Sequence, residues 1–401
     1  MPACNLKNFV NREKELAYVK DKVIRLASGQ PFAPHERVFH FVGPSGIGKS
    51  CLLEKCYGAF ANDPKCIPIL IKLETLGSGS EAFVNQFLAA VYEKFCNYQG
   101  IAVDKAFVSL SRPRKLYSSI LVRSINLGAM SKVVVILLDE INVPQRKELQ
   151  DIEENLLEEL FHGNERVVLI TAGRSYPMFN DVALRPSSAN TFLLRAFDEK
   201  TTGEQLEKLK PGSALIANKV LELGGGVPRN NTKLARHVVG SPPHMPNELH
   251  AVQSLLADVK GEIEERFHAM IEAICILQAF FPEEAFPLIK SHPTLGEQWD
   301  ESRIKEIFPE LKQVQIGPGA LISWDREKRS WVFDEPTRAL FERELRMREP
   351  QLWRKLQCAA YQMYKQWGEE LNSQLYRGRA EYHRECLKSA GMDCDDLKKE
   401  G

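Results

Sequence analysis

The first 240 residues alternate short apolar runs with longer stretches in which apolar residues recur every three or four positions. The runs are typical of strands buried on both faces, and the stretches are typical of helices with one buried face. The predicted strands are 37–42, 67–73, 132–138, 166–171 and, as an edge strand, 191–194. The predicted helices are 49–60, 80–96, 115–125 and 151–161. Because strands and helices alternate, we predict right-handed βαβ units and an α/β fold with a parallel sheet.

The pattern becomes mostly helical near residue 197. A glycine cluster at 224–226 interrupts it, and the breaker-rich segment 240–246 is predicted to be a linker. Further helices, near 248–280 and 301–313, precede two strand candidates, 320–324 and 330–333, in the order typical of a winged helix. The predicted parts are a sheet domain at 1–196, a helical lid at 197–246, a winged-helix domain at 247–349 and a C-terminal helical segment at 350–401.

Composition narrows the class of protein. The chain has 401 residues, 44% hydrophobic and 26% charged, which excludes a mostly disordered chain. Lys plus Arg and Asp plus Glu both number 53, so a surface that coats nucleic acid everywhere is not expected. Residues 1–250 carry a net charge of +5 and residues 251–401 a net charge of −5, so the predicted winged helix lies in the acidic part.

The sequence predicts a cytoplasmic protein without a membrane segment. Its most apolar run, at 133–138, is far shorter than the ~20 residues of a spanning helix, and the N-terminus lacks the apolar core of a signal peptide. Nine scattered cysteines, an odd number, indicate reduced thiols. A metal site at His383, Cys386 and Cys394 is disfavoured because no CxxC pair or fourth ligand accompanies them.

One glycine-rich segment predicts phosphate binding. Residues 43–50 fit the motif G-x-x-x-x-G-K-[ST], and they lie between a predicted strand and a predicted helix. The glycines allow backbone N–H groups to point at phosphate oxygens, Lys49 places a cation on the outer phosphates, and the Ser50 hydroxyl coordinates Mg²⁺. The predicted binding residues for ATP or ADP here are Gly43, Pro44, Ser45, Gly46, Ile47, Gly48, Lys49, Ser50 and Cys51.

A second predicted element is an acid pair after the apolar run 133–138. Its carboxylates would lie at the carboxyl end of a strand, where ligands bind in such sheets. We expect Asp139 to hold Mg²⁺ and Glu140 to deprotonate the attacking water.

Two further residues are candidates for nucleotide contacts. Arg174 follows the next strand and is expected to sense the outer phosphate. The alternative is a surface arginine on a turn. Pro228, after the glycine cluster, is expected to bring a backbone turn against the adenine, and the alternative is a simple helix terminus.

As a set, these motifs resemble the signal-transduction (STAND) ATPases of the AAA+-like P-loop superfamily, which are related to origin-recognition ATPases. The resemblance begins at F-V-N-R-E-K-E-L, residues 9–16, and covers about residues 1–350. It implies that Phe9, Val10 and Arg12 pack near the adenine. It also implies that ADP is trapped between the domains and that exchange for ATP allows association with itself or with a protein partner. The segment 333–336 lacks the histidine that touches ADP in several members of this class.

Two other functions remain open at this point. An origin-recognition-like ATPase would bind DNA through basic residues around Arg326, Lys328 and Arg329, against which the acidic C-terminal part argues. A non-catalytic scaffold would have no need of both Asp139 and Glu140.

Overall fold

The computed structural model describes residues 9–77, 80–104, 107, 114–296, 301–316, 319–325, 329–391 and 394. The chain divides into two compact units, Met1–Ala196 and Phe197–Gly401. No helix within the described ranges is long and apolar enough to cross a membrane.

The first unit is built on a parallel sheet of five strands in the order β2-β3-β4-β1-β5. The strands are β1 (Val38–Val42), β2 (Cys66–Lys72), β3 (Val133–Asp139), β4 (Val167–Gly173) and β5 (Thr191–Leu193). The predicted α/β fold is therefore confirmed, and each predicted strand end lies within two residues of the observed one.

Six helices accompany this sheet among the described residues. They are α1 (Glu13–Ala27), α2 (Lys49–Ala61), α3 (Ser80–Gln99), α4 (Arg114–Ala129), α5 (Arg146–Ile152) and α6 (Glu158–Gly163), with a π-helical turn (Glu153–Leu157) between the last two. The helix predicted at 151–161 begins five residues earlier. It does so because the Glu148 carboxylate accepts a hydrogen bond from the backbone N–H of Gln145 (2.7 Å) and caps the first turn.

The central strand β3 explains why its sequence is a continuous apolar run. Alternate side chains of a strand point to opposite faces of a sheet. The side chains of Val134, Ile136 and Leu138 enter one core and those of Val133, Val135 and Leu137 enter the other. Helices cover both faces, so every residue of β3 is buried and none alternates with a polar residue.

The second unit is mostly helical. Its helices are α7 (Glu199–Leu209), α8 (Ala217–Gly224), α9 (Pro228–Leu234), α10 (Glu248–Gly261), α11 (Glu265–Ile274), α12 (Pro282–Ser291), α13 (Pro293–Gly296), α14 (Glu301–Leu311), α15 (Glu335–Arg348), α16 (Pro350–Glu370) and α17 (Gln374–Ser389). Its strands are β6 (Ala279–Phe280), β7 (Gln315–Ile316), β8 (Gly319–Ala320), β9 (Ile322–Asp325) and β10 (Ser330–Phe333).

A single hydrophobic core runs through this unit. Leu206 of α7, Val252 of α10, Leu288 of α12 and Trp353 of α16 belong to the same cluster of buried side chains. The sequence prediction missed β6, which pairs with β10 opposite β9, because two residues leave no recognisable period.

The C-terminal cysteines bear on two points of the sequence analysis, the expected reduced thiols and the disfavoured metal site. A disulfide joins Cys358 of α16 to Cys394, so the prediction of reduced thiols is wrong for this pair. The imidazole of His383 is buried against the side-chain oxygen of Gln357 (Nδ1 to Oε1, 2.6 Å). Of the three residues considered as metal ligands, His383 and Cys394 are thus committed to other contacts, whereas Cys386 is not part of a disulfide.

Candidate functional site

The carboxyl ends of three neighbouring strands bring the predicted site residues to one edge of the first unit's sheet. β4 lies between β1 and β3, with Val42 opposite Gly173 and Leu138 opposite Thr171. Polar residues that follow these strands therefore become neighbours, although more than 120 residues separate β1 from β4.

The glycine-rich loop links β1 to α2 and has the backbone that the motif requires. Gly46 and Gly48 adopt the left-handed region, with φ of 77° and 100°, where side chains other than glycine are strained. A Cβ on Gly43 would lie 2.8 Å from the carbonyl oxygen of Leu194, so only glycine fits there. The side chain of Ile47 is buried beneath the loop and anchors it to the core around α2.

The ammonium group of Lys49 is held at this loop. Its Nζ donates to the carbonyl oxygens of Gly43 (2.9 Å) and Pro44 (3.0 Å), and the residue is 4% exposed. Both acceptors are neutral oxygens, which phosphate oxygens can replace with a gain in Coulomb energy. The geometry suits a lysine that binds phosphate.

Asp139, the last residue of β3, lies against the first turn of α2. Its carboxylate accepts a hydrogen bond from the Ser50 hydroxyl and from the backbone N–H of Glu140 (3.1 Å). Burial raises the pKa of Asp139 to about 6, while the bond from Ser50 acts in the opposite direction. A hydroxyl and a carboxylate in contact are the hard oxygen donors that Mg²⁺ prefers, so these two residues fit the predicted metal.

Glu140 is held in an unusual conformation. Its φ is 55°, in the left-handed region, and a turn closed by the bond from Val143 N–H to the Glu140 carbonyl (2.9 Å) keeps it there. The residue is 8% exposed, and its Oε2 has no hydrogen-bond partner among the described residues. A buried carboxylate oxygen without a partner is costly, and such features cluster where a ligand or water completes the site.

Arg174 follows β4 at the same edge and is half-buried. Its backbone N–H donates to Oδ1 of Asn142, a residue that the sequence analysis did not single out. The sequence analysis also missed His40, whose imidazole is fully buried in β1 beside Thr171. The available signals were a histidine inside an apolar strand and an amide two residues after the acid pair.

The N-terminal element also reaches this edge of the sheet. Arg12 donates from Nη2 to the carbonyl oxygen of Arg195 and lies 3.7 Å from Glu15. Val10 is buried, and Phe9 packs against the core around α2. Since the adjacent Leu194 donates to the Val42 carbonyl (2.8 Å), this element lies close to the start of the glycine-rich loop.

Pro228 belongs to the second unit, as the first residue of α9. Its carbonyl oxygen accepts from Nε2 of Gln205 (3.1 Å), and Phe197 N–H donates to the Gly226 carbonyl (2.8 Å). These bonds hold the turn at 226–228 in place. The contact of Pro228 with a nucleotide stays a prediction.

No family model and no curated protein sequence matches the chain. Several solved structures resemble it over most of its length. A Walker-type ATPase of Pyrococcus abyssi shares 15% identity at a TM-score of 0.52, with 83% of this chain and 95% of that chain covered. The ORC2 protein of Aeropyrum pernix in its ADP form shares 12% identity at a TM-score of 0.54, with 88% and 96% covered.

These similarities establish the fold. This chain has an α/β P-loop fold. A Signal Transduction ATPase with Numerous Domains from Pyrococcus horikoshii is also similar, at 12% identity and a TM-score of 0.33, with 93% of this chain and 47% of that chain covered. That similarity is too low to assign the finer class.

Proposed function

We propose that this protein binds Mg²⁺·ATP, hydrolyses it slowly and acts as a molecular switch in signal transduction or assembly. The carrying observation is the contact between Ser50 and Asp139, with Lys49 and Glu140 beside them. A glycine-rich turn alone is common in proteins and is weak support for a phosphate site. A loop hydroxyl bonded to a buried carboxylate from a different strand adds the oxygen donors that a Mg²⁺ ion beside the phosphates needs.

The residues have separate roles in this proposal. Lys49 and the loop amides bind the β and γ phosphates, and Ser50 and Asp139 would hold Mg²⁺, which neutralises phosphate charge when bound. Glu140 accepts the proton of the attacking water, and its partnerless Oε2 is the atom suited to this role. Arg174 senses the third phosphate.

The switching parts are those expected from the sequence: a lid at 197–246, a winged helix at 247–349 and a helical segment at 350–401. The order of three helices, α11, α12 and α14, before the β9–β10 hairpin supports a winged helix. Phe9, Val10, Arg12 and Pro228 are proposed to contact the adenine side of the nucleotide. A ligand that binds two arrangements with different affinity shifts their populations, which is the physical basis of the switch.

The first test is the nucleotide that the purified protein carries, released by denaturation and identified by chromatography. Bound ADP near one per chain is expected for a switch. Lys49→Ala should abolish retention, whereas Lys65→Ala should not, because exposed Lys65 precedes β2 at the opposite edge of the sheet. Equal retention by both variants would refute the site.

The second test separates hydrolysis from binding. Glu140→Gln keeps the size of the side chain and removes the base, so turnover should fall by about 10²–10⁴ while ATP still binds. Turnover that survives this change would refute the role of Glu140 as the base, and no turnover in the unchanged protein would favour the non-catalytic scaffold. ATP-loaded Glu140→Gln should differ from the ADP form in small-angle scattering or in mass by light scattering, because the proposed switch changes shape or self-associates.

A second candidate is an ATPase that binds DNA through the winged helix, favoured by the similarity to the ORC2 protein. Trp324 of β9 is 46% exposed, as a base-stacking residue would be. Of the basic residues considered for this role, Arg326 and Lys328 lie outside the described residues. A gel shift at low salt that weakens steeply with added salt would support this candidate, and its absence at every protein concentration would exclude it.

A further inference from the structure

A polar cluster connects the three strand ends that carry the proposed ATPase site. It consists of His40 on β1, Thr171 on β4, Asn142 after β3 and Ser175 after β4. His40 and Thr171 are fully buried, whereas Ser175 belongs to an exposed loop. These residues come from parts of the chain that are far apart in the sequence, with 131 positions between His40 and Thr171.

The hydrogen-bond partners of His40 determine which of its ring nitrogens carries the proton. Nε2 lies 3.1 Å from the carbonyl oxygen of Ser175, which can only accept, so Nε2 carries the proton. Nδ1 lies 2.8 Å from the Thr171 hydroxyl and accepts its proton in preference to the more distant Phe39 carbonyl oxygen (3.3 Å). Burial lowers the pKa of His40 to about 4, so the ring is neutral at physiological pH and matches this arrangement.

Asn142 holds the same loop from the other side. Its Oδ1 accepts from the backbone N–H groups of Arg174 and of Ser175 (3.3 Å), and its Nδ2 donates to the Ser175 hydroxyl (2.6 Å). Gly173 makes the approach feasible, because a Cβ there would overlap Oδ1 of Asn142. The loop's backbone is thus fixed by two side chains from other strands.

Asn142 also belongs to the turn that keeps Glu140 in its left-handed conformation, closed between Glu140 and Val143. Asn142 is therefore linked to Glu140 by the backbone of this turn and to Arg174 by a hydrogen bond.

We propose that His40 and Asn142 are positioning residues that hold Arg174 and Glu140 in a fixed relation, so that recognition of the third phosphate is coupled to hydrolysis. This inference rests on the proposed ATPase function and names residues outside its phosphate and metal contacts. ADP lacks the third phosphate, so its binding does not depend on this cluster.

The test uses the full chain and two leucine variants, because leucine has the branching of asparagine and about the size of histidine. Asn142→Leu and His40→Leu remove the hydrogen bonds, and each should lower kcat at least about tenfold, since small displacements in a site are costly. The Kd for ADP should stay within about twofold. Both variants should also lose preference for a non-hydrolysable ATP analogue over ADP.

Two milder variants serve as controls for folding. In His40→Gln, the amide can donate to the Ser175 carbonyl and accept from Thr171, so kcat should recover to near that of the unchanged protein. Ser175→Ala keeps the backbone bonds to Asn142 and should have a much smaller effect than Asn142→Leu.

Three outcomes would overturn the inference: unchanged kcat in both leucine variants, a loss of ADP affinity equal to the loss of kcat, or no difference between His40→Gln and His40→Leu. A protein that neither hydrolyses ATP nor prefers the ATP analogue to ADP would overturn the proposed function together with this inference. A normal ATPase whose leucine variants behave like the unchanged protein would overturn the inference alone.

Discussion

Arg379→Met should destabilise the second unit strongly, because it breaks a buried ion pair. The Arg379 guanidinium lies 2.5 Å from Oε1 of Glu284, whose side chain is 1% exposed. Removing one partner of such a pair leaves a buried charge, at a cost of about 3–5 kcal/mol. Glu284 keeps bonds from Phe281 N–H (2.9 Å) and the Tyr364 hydroxyl (3.2 Å), so we expect the lower end, about 3 kcal/mol.

The assay follows from the distribution of tryptophan. All five tryptophans lie at or after residue 299, so intrinsic fluorescence reports on the second unit and is silent on the first. For a unit of about 200 residues, 3 kcal/mol corresponds to a fall in Tm of roughly 6–12 °C.

The loss of stability in Arg379→Met should also depend on pH. Burial already raises the pKa of Glu284, and Arg379 opposes that rise. Without the arginine the pKa rises further, so the carboxyl protonates more readily and the penalty shrinks as pH falls from 8 to 5.

Two variants test the reasoning. Arg384→Met, on the same helix, removes an exposed pair with Glu381 and should leave the fluorescence midpoint unchanged. Combining Arg379→Met with Glu284→Gln should recover part of the stability, because no buried charge remains. Equal shifts in Arg379→Met and Arg384→Met, or a double variant in which the losses simply add, would refute the argument.

Two further predictions concern the second unit and use the same fluorescence assay in urea. Gly226→Ala should cost clearly more than Gly225→Ala: both glycines have φ near 68°, a strain of about 1–2 kcal/mol for alanine, but only a Cβ on Gly226 would overlap the Phe197 carbonyl. Similar losses of stability in the two variants would show that the backbone around residue 226 moves to relieve the overlap, and would contradict the prediction. His383→Gln should flatten acid destabilisation: burial lowers the pKa of His383 to about 3, so the unfolded chain, with a pKa near 6.5, binds the proton first, and about 2 kcal/mol is lost between pH 6.5 and 4.5. Parallel stability curves for the variant and the unchanged protein would contradict this assignment.

Local sequence signals predicted much of the first unit. The apolar runs indicated all five strands. For β1, β3 and β4 the reason is that burial on both faces demands apolar residues at consecutive positions of a parallel sheet, whereas β5 is a half-exposed edge strand. The helix at 151–161 was placed too late, since its start depends on one capping bond rather than on a period.

The second unit was less predictable. Strand β6 is two residues long and exists because β10 pairs with it from fifty residues away. The disulfide between Cys358 and Cys394 likewise depends on how α16 meets a residue five positions beyond the end of α17. Neither contact leaves a local pattern.

The sequence by itself determined the elements whose conformation or burial is local: the glycines that wrap the loop at 43–48, and the apolar strands that end in Asp139 and Gly173. Only the tertiary structure decided which polar groups meet. The bond between Ser50 and Asp139, the burial of His40 between Thr171 and Ser175, and the pairing of Glu284 with Arg379 join residues 89 or more positions apart. The physical reason is that backbone preferences act over a few residues, whereas hydrogen bonds and ion pairs act wherever folding brings two groups within about 3 Å.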